Sequence, residues 1–170
     1  IIRVTSAKKH HITRSMELVN VVASGTIGRE LELRAFCDDI SPDIDATYNT
    51  RMNALVIKFD SPSATVMMYT SGNLIVAGCE NPPSLDRVQE HLQEILSSRE
   101  IISDEFELGL DINNMVYTAD LGRSVDQNKL VSKLGYECTQ YEPEQNSFVV
   151  YRPSGHSCSV TISSSGKSVI

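Results

Sequence analysis

Apolar residues recur along this chain at two spacings. The β-branched runs Leu18-Val-Asn-Val-Val-Ala23 and Asn53-Ala-Leu-Val-Ile-Lys-Phe59 predict two strands. Asp60-Ser-Pro-Ser63 predicts a turn, after which Thr65–Tyr69 and Asn73–Ala77 flank the compact hairpin signal Thr70-Ser71-Gly72. The pattern then becomes helical: Leu85, Val88, Leu92, Ile95 and Leu96 share one face, and Asn81-Pro82-Pro83 marks the start of that helix. A shorter helix is expected over Arg29–Ile40, ended by the acidic, proline-containing loop Asp38–Asp45.

One offset, 94 residues, repeats this plan. It pairs Asn20 with Asn114, Val22 with Val116, Gly28-Arg29 with Gly122-Arg123, Lys58 with Arg152, Val66 with Val160 and Ser71-Gly72 with Ser165-Gly166. The second copy predicts a strand at Ile112–Thr118, a helix near Asp126–Leu134, a strand at Phe148–Arg152 and a hairpin around Ser165-Gly166. Each half reads as β-α-β-β-β-α, an α+β unit with helices on one face of an antiparallel sheet. The expected organisation is a basic tail (1–16), a first repeat (17–105) and a second repeat (106–170). The second repeat reaches Ile170, the equivalent of Val76, so the duplication predicts a further segment equivalent to 77–100.

Composition narrows the reading. With 41% apolar and 22% charged residues among 170, the chain has the makings of a folded core. Its apolar runs are too short for a membrane helix, and the first residues do not read as a secretory signal. Cys37, Cys79, Cys138 and Cys158 are widely spaced without a C-x-x-C pair, and are expected to be free thiols of a reducing compartment. A net charge of −7 argues against a polyanionic partner on long-range electrostatics alone.

The order of these segments resembles the TATA-box-binding protein family. The first repeat carries the likeness in Val19-Asn-Val-Val-Ala23, Ile27-Gly-Arg-Glu-Leu-Glu-Leu33, Ala54-Leu-Val-Ile-Lys-Phe59 with Pro62, and Tyr69-Thr-Ser-Gly-Asn-Leu-Ile-Val-Ala-Gly78. The second carries it in Ile112-Asn-Asn-Met-Val116, Tyr141-Glu-Pro-Glu144, Val149-Val-Tyr-Arg152 and Ser165-Gly-Lys167. The likeness covers residues 17–170. It implies a pseudo-twofold saddle, a curved antiparallel sheet with helices on its convex face. It also implies a transcription initiation factor that binds promoter DNA in the minor groove, the family being a standard example of that mode.

From the resemblance, Asn20, Val22, Asn114 and Val116 would meet the groove floor. The family's apolar wedges, two Phe per repeat 17 residues apart, correspond to Met52 and Tyr69, and to Asn146 and Ser163. All four have departed from Phe, a loss similar to that in the TATA-binding-protein-related factors of trypanosomatid protists. Met52 is apolar enough to wedge and Tyr69 keeps a ring, whereas Asn146 and Ser163 cannot unstack bases. The second-repeat end is therefore expected not to kink DNA, and the first to do so weakly. Arg51, Lys58, Arg152 and Lys167 match phosphate-contacting positions. Asn73, Glu80 and Ser63 stand where the family usually has Lys or Arg, and Ala77 replaces a groove-facing Thr.

Tyr141-Glu-Pro-Glu144 resembles the stirrup presented to the B-type initiation factor, making Glu142 and Glu144 candidate partner contacts. The first stirrup, Asn49–Met52, is the equivalent site for the A-type factor and is one residue shorter. Other promoter-complex subunits are further expected partners. No catalytic set emerges: His10 and His11 lie in the tail, His91 is expected on the polar side of its helix and His156 in a loop. No cofactor or metal is expected, because Gly-rich phosphate loops are absent and the Asp38–Asp45 loop lacks the glycine turn of a calcium loop. Expected DNA binding is weak or partner-assisted, in a nucleus. The competing reading is a protein-interaction module with little DNA binding of its own, favoured by the charge and by Asn146 and Ser163.

Overall fold

The β-branched runs form strands because alternate side chains can be buried against helices while their neighbours face outward. In the computed structural model, which describes residues 16–170, β1 (Met16–Thr26) is followed by helix α1 (Leu33–Ile40). Then come β2 (Ala46–Asn49), β3 (Ala54–Asp60), β4 (Ser63–Tyr69), β5 (Asn73–Cys79) and helix α2 (Pro82–Ser98). Strand β6 (Leu110–Asp120) leads into helix α3 (Gln127–Leu134), then β7 (Thr139–Gln140), β8 (Phe148–Tyr151), β9 (Val160–Ser163) and β10 (Lys167–Val169). Two compact units result. One is Leu18–Val116; the other is Tyr117–Ile170 with, among the described residues, Met16 and Glu17.

In the first unit the antiparallel order is β2-β3-β4-β5-β1. Val21, Ala23, Leu55, Ile57, Val66, Met68, Leu74 and Val76 alternate onto the helix-covered face and are buried. Leu85, Val88, Leu92 and Leu96 of α2 and Leu33, Phe36 and Ile40 of α1 complete this core. Asn81 caps α2 by accepting from the Ser84 N–H at 2.9 Å. The stretch after α2 stays with this unit: Ile102 and Leu108 enter the core, and Gln93 donates to the Phe106 carbonyl and accepts from the Leu108 N–H at 2.9 Å.

The second unit, ordered β6-β10-β9-β8-β7, repeats the strand order of the first and the hydrogen bonds around its hairpin. The Ile27 N–H donates to Gly72 O and the Leu31 N–H to Thr70 O, both at 2.9 Å; 94 residues on, Leu121 donates to Gly166 O at 2.9 Å and Val125 to Ser164 O at 2.8 Å. Gly28 N–H donates to Thr26 Oγ1 as Gly122 N–H does to Asp120 Oδ1. Registers match too: Ala54↔Tyr69 and Met68↔Leu74 become Phe148↔Ser163 and Ile162↔Ser168. Asp126 caps α3 through the Lys129 N–H, and that bond together with the Lys129 ammonium holds its carboxyl below the usual range. Val131, Val149, Ile162, Gly166 and Ser168 are the buried residues here among those described.

Three expectations need correction. Each unit contains one strand more than β-α-β-β-β, because Ala46–Asn49 and Thr139–Gln140 pair with β3 and β8. They are too short and polar to announce themselves, and neighbouring strands recruit them. Helix α1 begins at Leu33 rather than Arg29, because the Leu31 N–H is committed to Thr70 O. His91 is half-buried against Phe59, with ring centroids 5.9 Å apart, so it is no purely polar-face residue. His10 and His11 lie outside the described residues.

All four cysteines are free. Burial raises the thiol pKa of Cys37 and of Cys79, with the Asp38 carboxylate adding to it at Cys37. In the native protein a maleimide should therefore label exposed Cys158 first and Cys138 next. Cys37 and Cys79 should react only on unfolding; mass-mapped labelling of Cys79 at the rate of Cys158 would contradict this burial.

Candidate nucleic-acid interface

The face of each sheet opposite its helices carries the sequence-predicted residues. In the first unit, alternation places Asn20 and Val22 of β1, Val56 and Lys58 of β3, Thr65, Met67 and Tyr69 of β4, and Ile75 and Ala77 of β5 there. Val56, Met67 and Ile75 stand side by side in register, so the centre of the face is apolar. In the second sequence repeat Asn114, Val116 and Thr118 of β6, a strand that runs from one unit into the other, with Val150 and Arg152, Thr161 and Ser163, and Lys167 and Val169 hold the equivalent positions.

Asn20 is fixed by a defect in the ladder. Between Val21↔Cys79 and Ala23↔Val76 the register slips by one, a β-bulge with Gly78 at φ +92°. The bulge frees the Gly78 N–H, and Asn20 Oδ1 accepts it at 2.9 Å. Only an oxygen can accept there, so the amide orientation is set and its NH2 group is the end left for a ligand. A strand asparagine alone gives no sign of this bond, which spans 58 residues.

The predicted wedge positions lie at sheet ends and differ between units. Exposed Met52 sits in the β2–β3 turn, whose backbone is held by Asn49 Oδ1 accepting from the Arg51 and Met52 N–H groups. Tyr69 ends β4, half-buried, opposite Ala54. Asn146 is exposed in the longer β7–β8 turn, its N–H bonded to Glu142 O at 2.8 Å. Ser163 turns its hydroxyl back on its own hairpin, donating to Lys167 O at 3.0 Å and lying 2.8 Å from Ser165 Oγ.

Register confirms the inequality of the stirrups. Asn49↔Ala54 closes the first, whereas the pairing Gln140↔Val150 makes the second one residue longer. Within the second, Tyr141 OH donates to Gln127 Oε1 at 3.0 Å, and Gln127 Nε2 donates to Ser147 O at 2.8 Å. Glu142 and Glu144 are exposed on the turn so held. Gln127 carried no sequence signal; only the fold joins it to the stirrup. The basic residues Arg51, Lys58, Arg152 and Lys167 are all exposed, and the ion pairs found among the described residues, Arg99 with Asp39 and Asp43 and Lys129 with Asp126, involve none of them.

A duplicated α+β unit, each repeat carrying an Asn-x-Val strand and cations on its open sheet face and the first an apolar centre there, defines a class of protein with broad open sheet faces. Comparison with known proteins specifies the class. The family model described as "Transcription factor TFIID (or TATA-binding protein, TBP)" matches residues 15–99 and 109–170. TATA-box-binding protein C of Halobacterium salinarum is 30% identical over 92% of this chain and 86% of its own. TATA-box-binding protein 2 of Haloferax volcanii is 36% identical over 92% of this chain and 82% of its own. The solved structure of Methanococcus jannaschii TBP matches with a TM-score of 0.68 and 28% identity, covering 91% of this chain and 85% of that one. The chain belongs to the TATA-binding protein family and has its fold.

Proposed function

We propose that this protein is a general transcription initiation factor that binds promoter DNA by laying its open sheet faces against the minor groove. The observation that carries the reading is the oriented amide of Asn20 beside Val22, repeated in sequence and strand position at Asn114 and Val116. A·T pairs show the minor groove only acceptors, the adenine N3 and thymine O2, whereas G·C adds an amino group. An amide with its oxygen already engaged can donate to those acceptors. Valine methyls fit the groove floor where no amino group projects, so A·T sequences are favoured.

Affinity falls to few cations. If Arg51, Lys58, Arg152 and Lys167 each neutralise one phosphate, log K should fall against log salt with a slope of about −3 to −4, and Lys58→Ala should reduce it by about one unit. The remaining charge opposes approach of a polyanion, so binding is weak alone and strengthened by partners. Glu142 and Glu144, on the stirrup pinned by Gln127, are the proposed contact for a basic surface of a B-type initiation factor; the Asn49–Met52 turn is the proposed A-type contact. Other promoter-complex subunits assemble on these. No enzymatic step belongs to this reading.

The site of action is a compartment containing DNA. A nucleus is the expectation from the sequence; the relatives named above are archaeal, and the trypanosomatid likeness rests on the wedge positions. Fluorescence anisotropy of a labelled A·T-rich duplex across salt, with and without A-type and B-type factors, tests the proposal. Binding in either condition supports it. Absence of binding in both would replace it with the protein-interaction module, which the net charge of −7 and the inward-bonded Ser163 hydroxyl favour.

A further inference from the structure

The pair of residues that ends the β3–β4 ladder of the first unit is Ala54↔Tyr69, and its 94-residue equivalent in the second unit is Phe148↔Ser163. Each pair holds one aromatic ring. In the first unit it stands on the later strand; in the second it stands on the earlier one, where the first has alanine. The ring has moved across a cross-strand pair while keeping its place on the sheet.

Phe148 faces the ligand side of its sheet. Val149, its neighbour, is fully buried on the helix side with Ile162, so alternation turns Phe148 and Val150 the other way, alongside Thr161 and Ser163. Ser163 opposite it is short, and its hydroxyl is bonded to Lys167 O, so nothing on that partner covers the ring. Phe148 is half-buried and opens β8 at the foot of the stirrup. Its backbone is anchored there, because Gln127 holds the adjacent Ser147 carbonyl at 2.8 Å and Tyr141 fixes Gln127. A stiff apolar side chain at the rim of a groove-binding face, held by a pinned backbone, is what unstacking a base step requires.

We propose that Phe148 is the apolar wedge of the second unit, entering a base step of the bound duplex in place of Asn146 and Ser163. This rests on the minor-groove reading above. It replaces the expectation that the second-repeat end leaves DNA unkinked.

The test uses the full chain and A·T-rich duplexes carrying a fluorescent purine analogue, whose emission rises on unstacking, at successive positions. The wild type should raise emission near one end of the site. Phe148→Ala should abolish that rise and weaken binding about tenfold, while any rise at the other end is unchanged. Phe148→Leu should keep most of it, and Phe148→Ala with Ser163→Phe should restore it by returning the ring to the other member of the pair. Should Phe148→Ala fail to fold by circular dichroism, Phe148→Gln, of similar bulk but polar, reads the same loss. Persistence of the rise in a folded Ala or Gln variant, or binding by the wild type without unstacking at that end, overturns the wedge and leaves groove binding standing. No wild-type binding up to about 100 µM, the weak end of non-specific affinities, either alone or with A-type and B-type factors added, overturns both.

Discussion

Gly72→Ala should lower the stability of the first unit by about 2–4 kcal/mol. Gly72 has φ +81°, and a Cβ built on it meets the Arg29 carbonyl oxygen and carbon as well as the Arg29 nitrogen. The approach is close because the chain from Ile27 to Leu31 is bonded to the hairpin turn at both ends, through Gly72 O and Thr70 O. A methyl group therefore adds left-handed strain of about 1–2 kcal/mol and forces those two hydrogen bonds, worth about 1 kcal/mol each, to lengthen. Gly28 is the control: its φ is +75° but nothing lies within 4 Å, so Gly28→Ala should lose only the strain. Urea unfolding with an unchanged slope measures both. Equal losses in the two variants would show that the close approach constrains nothing. The duplication extends the prediction to Gly166, at φ +90° against the Arg123 carbonyl.

Asn20→Ala combined with Asn114→Ala should weaken binding to an A·T-rich duplex by about 30- to 140-fold, the equivalent of about 2–3 kcal/mol. Each substitution removes a donor and leaves base acceptors desolvated without a partner. Asn20→Asp separates this from a folding effect. The carboxylate can still accept from the Gly78 N–H and keep the bulge, but it has no donor and adds a negative charge facing the groove. It should fold like the wild type and bind no better than the alanine variant. Retained affinity in Asn20→Asp, measured by anisotropy at fixed salt, would remove Asn20 from the interface.

The repeat, the long strands, both hairpins and the capped helix α2 were legible because each has a local signature. Asn81-Pro-Pro needs no tertiary help to start a helix, and Thr-Ser-Gly needs none to turn a hairpin. That positions 20, 22, 114 and 116 lie at matching places on the strands was legible through the duplication and the family likeness together. The unequal stirrups could also be counted in the sequence. What escaped was non-local. Strands β2 and β7 exist only because β3 and β8 offer an edge to pair with. His91 leaves the polar side because Phe59 lies across from it. Phe148 carried no signal, since the family's own spacing falls on Asn146 and Ser163 and only the strand register pairs Phe148 with Ser163.

The sequence by itself determined that two copies of one α+β unit are present, where their strands and turns fall, and which family they belong to. These properties follow from periodicity, turn chemistry and order, all of which are written along the chain. Only the tertiary structure decided how the Asn20 amide is oriented and that an aromatic ring survives in the second unit on the opposite strand. Both depend on which residues a register slip or a cross-strand pair brings together, and hydrogen bonds between residues 58 apart leave no mark on their immediate neighbours.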